Sequence, residues 1–282
     1  MAKDLDSMRV QEVAAFFSES EKPYNAWLHW SATMSCNLKC SYCFVNTKKP
    51  GLDDVIDIDK VVVSLDSLDK AFKISFTGGE PFLIKNFVDL CTRLSKNHYL
   101  EIVTNLVTGD VEGFSEKINS GRVERITASF HLEELEKHNL LDVYIDNFLL
   151  LKKKGFSIIC LCVAFPPFAK QVEKYKALLK EKGITLFFTH FIGEFDGKKY
   201  PGAYNDKELR VFGLTRQDFN KHMSKGMLCN AGFNVGVVNE GGEVFPCDAV
   251  RPSLGSLFSG FKFKDSLIIQ VIIMVVRDQH SI

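Results

Sequence analysis

Apolar positions along this chain follow two rhythms. Short runs rich in Val, Ile, Phe and Thr recur at Trp27–Thr33, Phe72–Thr77, Tyr99–Asn105, Arg125–His131, Ser157–Phe165 and Thr185–Ile192, the composition of pleated, buried strands. Between them, in Asp59–Lys70, Asn86–Lys96, Val111–Ser120, Leu135–Lys153 and Phe168–Lys182, apolar residues return every three or four positions, as on one face of a helix. Lys152–Lys154 followed by Gly155 supplies a basic last turn and a stop. Strands alternating with helices imply parallel pairing through right-handed crossovers. An eight-unit barrel needs more chain than stands before residue 195, so the pattern predicts an α/β fold built on a partial, six-strand (β/α)6 barrel of TIM type.

Outside that array, Leu5–Glu19 reads as an amphipathic helix, Gly193–Tyr204 as a loop, and Asp206–Lys225 as a polar stretch with helical parts. From Gly226 onward, glycines interleaved with Val predict a small β-hairpin unit, with strands Asn234–Val238 and Glu243–Phe245 joined by Asn239-Glu-Gly-Gly242. The expected division is an N-terminal helical extension at 1–24, the barrel at 25–200, and a linker with the hairpin unit at 201–282. The run Leu267–Val276 is almost wholly apolar but far shorter than the roughly 20 residues that a bilayer span takes.

Composition narrows the classes further. With 282 residues, 46% hydrophobic and 25% charged, the chain has the make-up of a soluble globular protein. Its 35 basic and 35 acidic residues cancel, so no global field gathers nucleic acid or anionic lipid. Neither a nucleic acid nor a membrane is an expected partner. The first thirty residues lack the basic start and unbroken apolar stretch of a secretory signal, which predicts a cytoplasmic protein. Eight Cys are too few for a disulfide scaffold, and clustered cysteines in a reducing compartment are more often ligands or catalytic groups.

Three of those cysteines follow the first predicted strand as Cys36-Asn-Leu-Lys-Cys40-Ser-Tyr-Cys43, on the end of the barrel that carries chemistry. A structural zinc site wants a fourth Cys or His, and none lies close downstream. A ferredoxin-type cluster also takes four Cys. Three thiolates on a four-iron cluster leave one iron open to substrate. The second strand runs into Thr77-Gly78-Gly79-Glu80-Pro81, where glycines let backbone approach a ligand and a carboxylate can accept from an ammonium group. Alone, that sequence is more often a plain βα turn.

Together these residues resemble the radical S-adenosylmethionine (radical SAM) superfamily, whose Cys-x3-Cys-x2-Cys signature with an aromatic residue before the last Cys is matched by Cys36, Cys40, Tyr42 and Cys43. The resemblance implies a [4Fe-4S] cluster held by those three thiolates, with S-adenosyl-L-methionine on the open iron. It also implies one-electron cleavage to a 5′-deoxyadenosyl radical and hydrogen abstraction from substrate. It further implies that Gly78, Gly79 and Glu80 bind the cofactor's amino group, and that polar strand ends such as Asn105 and Ser129 hold its carboxylate and ribose. His131 is a catalytic candidate. It stands in Ser129-Phe-His131-Leu where relatives with peptide substrates carry Ser-x-Asp-Gly, and alternation puts Ser129 and His131 on one face. Both also read as ordinary polar groups of a barrel mouth. Cys91, Cys160, Cys162 and His190 read as packing.

The segment Cys229 to Cys247 is similar to the opening of a SPASM or twitch domain, which makes Cys229 and Cys247 candidate auxiliary ligands, although no Cys follows to complete a second cluster. Its end reads as a truncated or frame-shifted frame, or as a buried element of a diverged unit. Three functions follow: a maturase-like radical SAM enzyme acting on a peptide or protein, the same chemistry on a small metabolite or sugar, and a non-catalytic iron–sulfur binding protein. The enzymatic readings imply an electron donor such as flavodoxin or ferredoxin.

Overall fold

Alternation of burial along the first strand sets the architecture. In β1 (Ala26–Thr33) Leu28 and Trp30 are buried while Trp27 and His29 are exposed, so one face of the strand goes to the core. The computed structural model describes residues 23–45, 55–219, 228–250, 252–264 and 268–269. The expected N-terminal helix Leu5–Glu19 and most of Leu267–Val276 lie outside the described residues.

Five further strands pair in parallel after β1, in sequence order: β2 (Phe72–Gly78), β3 (Tyr99–Thr104), β4 (Val123–Ser129), β5 (Ile158–Ala164) and β6 (Leu186–His190). Helices α1 (Ile58–Asp66), α2 (Phe87–Leu94) and α3 (Val111–Lys117) cross between them. The core lies between these helices and the strand residues that face them, among them Leu28, Phe72, Ile74, Phe76, Leu100, Ile102 and Ile126. This is the expected partial barrel.

After β4 the structure corrects the sequence reading. The single helix expected at Leu135–Lys153 is two, α4 (Leu132–Lys137) and α5 (Leu141–Lys153), separated where Asn139 takes φ +53. Asn is among the few non-glycine residues that tolerate that left-handed backbone. β4 stops at Ser129, so His131 is not on a strand facing the same way; it stands at the position before α4, where its side chain makes no capping bond. α6 (Val172–Glu181) follows β5, and Gly193–Tyr204 is not a loop throughout but contains a hairpin of β7 (Gly193–Phe195) and β8 (Lys198–Tyr200). α7 (Asp206–Phe212) closes the segment with an Asn205–Glu208 capping box.

Of the C-terminal strands β9 (Leu228–Cys229), β10 (Val235–Val238), β11 (Glu243–Phe245), β12 (Gly255–Ser256), β13 (Gly260–Phe261) and β14 (Ile268–Ile269), β10 to β13 join the barrel's sheet, and β9 and β14 form a pair of their own. β10 pairs in parallel with β1, from Trp27↔Val235 to Trp30↔Val238, and β11 to β13 continue outward, making one ten-stranded sheet. Phe72 stacks on Phe263 at 6.2 Å between ring centroids, joining the hairpin unit to the core. β14 pairs with β9, so the start of the apolar tail has a strand partner. Among the described residues no helix is long and apolar enough to cross a membrane.

On β2 to β4 the strand face turned away from the helices carries a charged cluster. On it Glu101 accepts from Ser75 Oγ at 2.6 Å and pairs with Lys73 at 3.4 Å and with Arg125. Lys73 also pairs with Glu124 at 3.5 Å and lies 4.0 Å over the Trp27 ring, whose Nε1 donates to Ser75 Oγ at 2.8 Å.

Candidate functional site

The cysteine loop begins where β1 ends, and the neighbouring strand holds it there. The backbone N–H of Gly79 donates to Thr33 O at 2.7 Å and that of Glu80 to Ser35 O at 2.8 Å. A Cβ on Gly79 would collide with the Ser35 carbonyl, and one on Gly78, at φ +116, with that of Thr33. The two glycines are therefore required by the close approach of two backbones.

The Glu80 side chain turns inward. Oε1 accepts from Phe82 N at 3.0 Å and Thr104 Oγ1 at 2.8 Å, and Oε2 from Asn105 N at 2.7 Å. Burial pushes its carboxyl up to about 7 against the pull of those donors. A carboxylate offers about four lone-pair sites, so one on Oε2 is left over. Asn105 carries the connection onward, with its Nδ2 donating to Asn37 Oδ1 at 2.8 Å inside the cysteine loop. A network buried at Glu80 and Asn105 thus joins the ends of β2 and β3 to the exposed residue after Cys36.

The third tether comes from the end of β4. Tyr42 Oη and His131 Nδ1 are 2.9 Å apart, Ser41 Oγ donates to Glu133 at 3.0 Å, and Lys39 N donates to Glu134 Oε2 at 2.9 Å. Burial lowers the His131 pKa to about 4, so the ring is neutral and its unprotonated nitrogen can accept from the tyrosine. Burial alone would raise the Glu134 carboxyl, but the Lys39 amide, Lys137 and His138 outweigh it and hold it below the usual carboxylate range. Sequence reading did not find Asn37, Glu133 or Glu134. The only trace of the last two is a pair of acids in the first turn of a short helix.

So held, Cys36 and Cys40 are half-buried and Cys43 is exposed, all three as free thiols. Burial pushes the Cys40 thiol up to about 12 and raises Cys36; Cys43 and Glu134 add to both shifts, and Glu80 adds to that of Cys36. Cluster assembly therefore has to displace protons. Among the described residues no group of three His, Cys, Asp or Glu could hold a single metal ion. A loop offering only thiol sulfur, in three positions, fits an iron–sulfur cluster with one iron left to other ligands.

Ser129 is half-buried at the end of β4. Cys229, in β9, and Cys247, bridged through its backbone to Val250, are each half-buried free thiols. His190 ends β6 against the Phe219 ring, 5.9 Å away. Cys91, Cys160 and Cys162 are buried in the core as expected. Beside the cysteine loop opens a cleft of about 780 Å³, lined by Ser41 and Glu133 on one side and by Phe165, Phe168 and Phe195 on the other.

Residues 30–179 match the model of the Radical SAM superfamily. The chain is 24% identical over 201 residues to a GTP 3′,8-cyclase of Clostridium perfringens, covering 66% of this chain and 61% of that protein. It thus spans about three fifths of that relative's length. It is 26% identical over 273 residues to a cysteine-type anaerobic sulfatase-maturating enzyme of the same organism, covering 77% of this chain and 72% of that one. Among solved structures, Streptococcus suis SuiB bound to the precursor peptide SuiA has the same fold, with a TM-score of 0.58, 16% identity, and 89% of this chain covered against 66% of SuiB.

Proposed function

Because this chain belongs to the radical SAM superfamily, we propose that it is an enzyme that cleaves S-adenosyl-L-methionine reductively and takes a hydrogen atom from a peptide or protein. The superfamily's [4Fe-4S] cluster supplies the electron and the open iron for that cleavage. In this reading Cys36, Cys40 and Cys43 are the cluster ligands. Gly78, Gly79 and Glu80, with Asn105 and Ser129, form the cofactor's binding surface. Residues 25–200 are the catalytic core, 1–24 an extension, and 201–282 a SPASM- or twitch-like unit in which Cys229 and Cys247 are partial ligands or relics. His131 acts by holding Tyr42.

The observation that carries the reading is the cysteine loop itself, tied down from the ends of β2, β3 and β4 and bordered by an open cleft. A cleft open to solvent with an aromatic wall suits a chain that must lie across the site, and the sulfatase-maturating relative and the peptide-bound fold neighbour point to the same substrate class. The electron would come from a flavodoxin or ferredoxin, and the setting is the cytoplasm. A second reading, a small polar metabolite, is favoured by the charged face inside the barrel and by the GTP cyclase relative.

Anaerobic reconstitution tests the class. The full chain should bind about four irons and form 5′-deoxyadenosine, and replacing Cys36, Cys40 and Cys43 together with Ala should abolish both. Zinc in the anaerobically purified protein, with neither iron nor sulfide, would sink the proposal. Deuterium passing into 5′-deoxyadenosine from a labelled peptide rather than from a labelled nucleotide separates the two substrate readings.

A further inference from the structure

The acidic start of α4 reaches the cysteine loop with more than a cap. We infer that Glu134 is a positioning residue for the cluster, whose carboxylate fixes the loop backbone between Cys36 and Cys40 and holds a negative charge there that keeps the cluster's reduction potential low. The inference rests on the reading that Cys36, Cys40 and Cys43 hold that cluster.

Two observations carry it. The Glu134 side chain is 3% exposed, yet its Oε2 accepts from the Lys39 amide at 2.9 Å across a sequence separation of 95 residues, so the chain brings a charge into the interior to reach this loop. A carboxylate accepting a backbone N–H in a dry setting makes a charge-assisted bond stronger than a neutral one. Its counter-charges are placed differently. Lys137 Nζ, 3.2 Å away, has a side chain 58% exposed, and His138 Nε2, 3.4 Å away, one 46% exposed. Solvent weakens the fields of those two groups without cancelling them, while the Glu134 carboxylate, turned away from solvent, keeps more of its own. Net charge and hydrogen bonding around a cluster set its potential, and added negative charge disfavours the electron's arrival. Glu133 provides the contrast, being exposed and bonded to the Ser41 hydroxyl.

The test is an anaerobic redox titration of the reconstituted full chain, followed by electron paramagnetic resonance, with iron and sulfide counted on each sample. Glu134→Gln keeps an oxygen for the Lys39 amide but loses the charge. It should hold wild-type iron and show a potential shifted in the positive direction, while Glu134→Asp stays near wild type and Glu133→Gln does not move. A loaded Glu134→Gln protein at the wild-type potential overturns the inference, and so does one that loses its iron, since the residue would then serve the backbone alone. Should Gln prevent folding, Lys137→Gln removes the counter-charge and should move the potential in the negative direction; no movement there also overturns it. A wild-type chain that takes up no iron defeats the cluster reading, and this inference falls with it.

Discussion

Glu101 sits in the middle of β3 with a side chain only 9% exposed, and it stays charged because Ser75, Lys73 and Arg125 converge on it. Burial alone would raise its carboxyl, but the two cations and the two hydrogen bonds outweigh that and hold it below the usual carboxylate range. Removing one member of such a buried cluster strands its partners, at a cost of roughly 3–5 kcal/mol. Glu101→Gln should therefore lower the unfolding free energy by about 3 kcal/mol at neutral pH, read from urea melts. A carboxyl whose pKa is depressed by folding stabilises above its unfolded value and loses that contribution as the pH falls through its folded one. The gap between wild type and variant should thus narrow below about pH 4.5. A gap of the same size in acid would show that packing, not charge, makes the difference. Glu80 contrasts with Glu101 in having no cation beside it among the described residues, and its donors are two backbone amides and a threonine hydroxyl.

Elements were legible in the sequence wherever their cause is local. The six barrel strands show because each sets β-branched and aromatic residues at its core-facing positions, a choice made within a few residues. The cysteine spacing and Gly78-Gly79-Glu80 show because backbone approach and metal ligation restrict residue type within a few positions. The break between α4 and α5 did not show, since the apolar stripe runs on past it and only the backbone of Asn139 turns. Nor did the tethers on the cysteine loop, because Asn105, His131, Glu133 and Glu134 approach it from 68 to 95 residues away. The close approach of the β2 end and the cysteine loop gives an element-level prediction. Gly79→Ala should force the two backbones apart, lowering the melting temperature and the iron retained after reconstitution, whereas Gly202→Ala, whose Cβ would meet only the Lys199 carbonyl at 3.8 Å, should leave iron content at the wild-type level. Equal iron in the two variants would count against the tether.

For the whole molecule, the pairing of β10 with β1 has the widest reach, and no local pattern announces it because it joins residues about two hundred positions apart. The hairpin unit covers an edge that β1 would otherwise present to solvent, and Phe261 and Phe263 pack on Phe72 from the same side. An uncovered edge strand pairs with other chains. A protein ending at residue 219 should therefore aggregate, although it retains every barrel strand; a monodisperse, folded product on size exclusion would contradict this. The polar interior face has one more consequence, and it is optical. The chain has two tryptophans. Trp30 is 1% exposed in the core, whereas Trp27 is 38% exposed on the inner face, its indole bonded to Ser75 and covered by Lys73. Intrinsic fluorescence should therefore divide into a shielded emitter and an accessible one, so that acrylamide quenches only the second. Protection of that fraction would report a molecule entering the barrel at the end where β1 starts, with no label added.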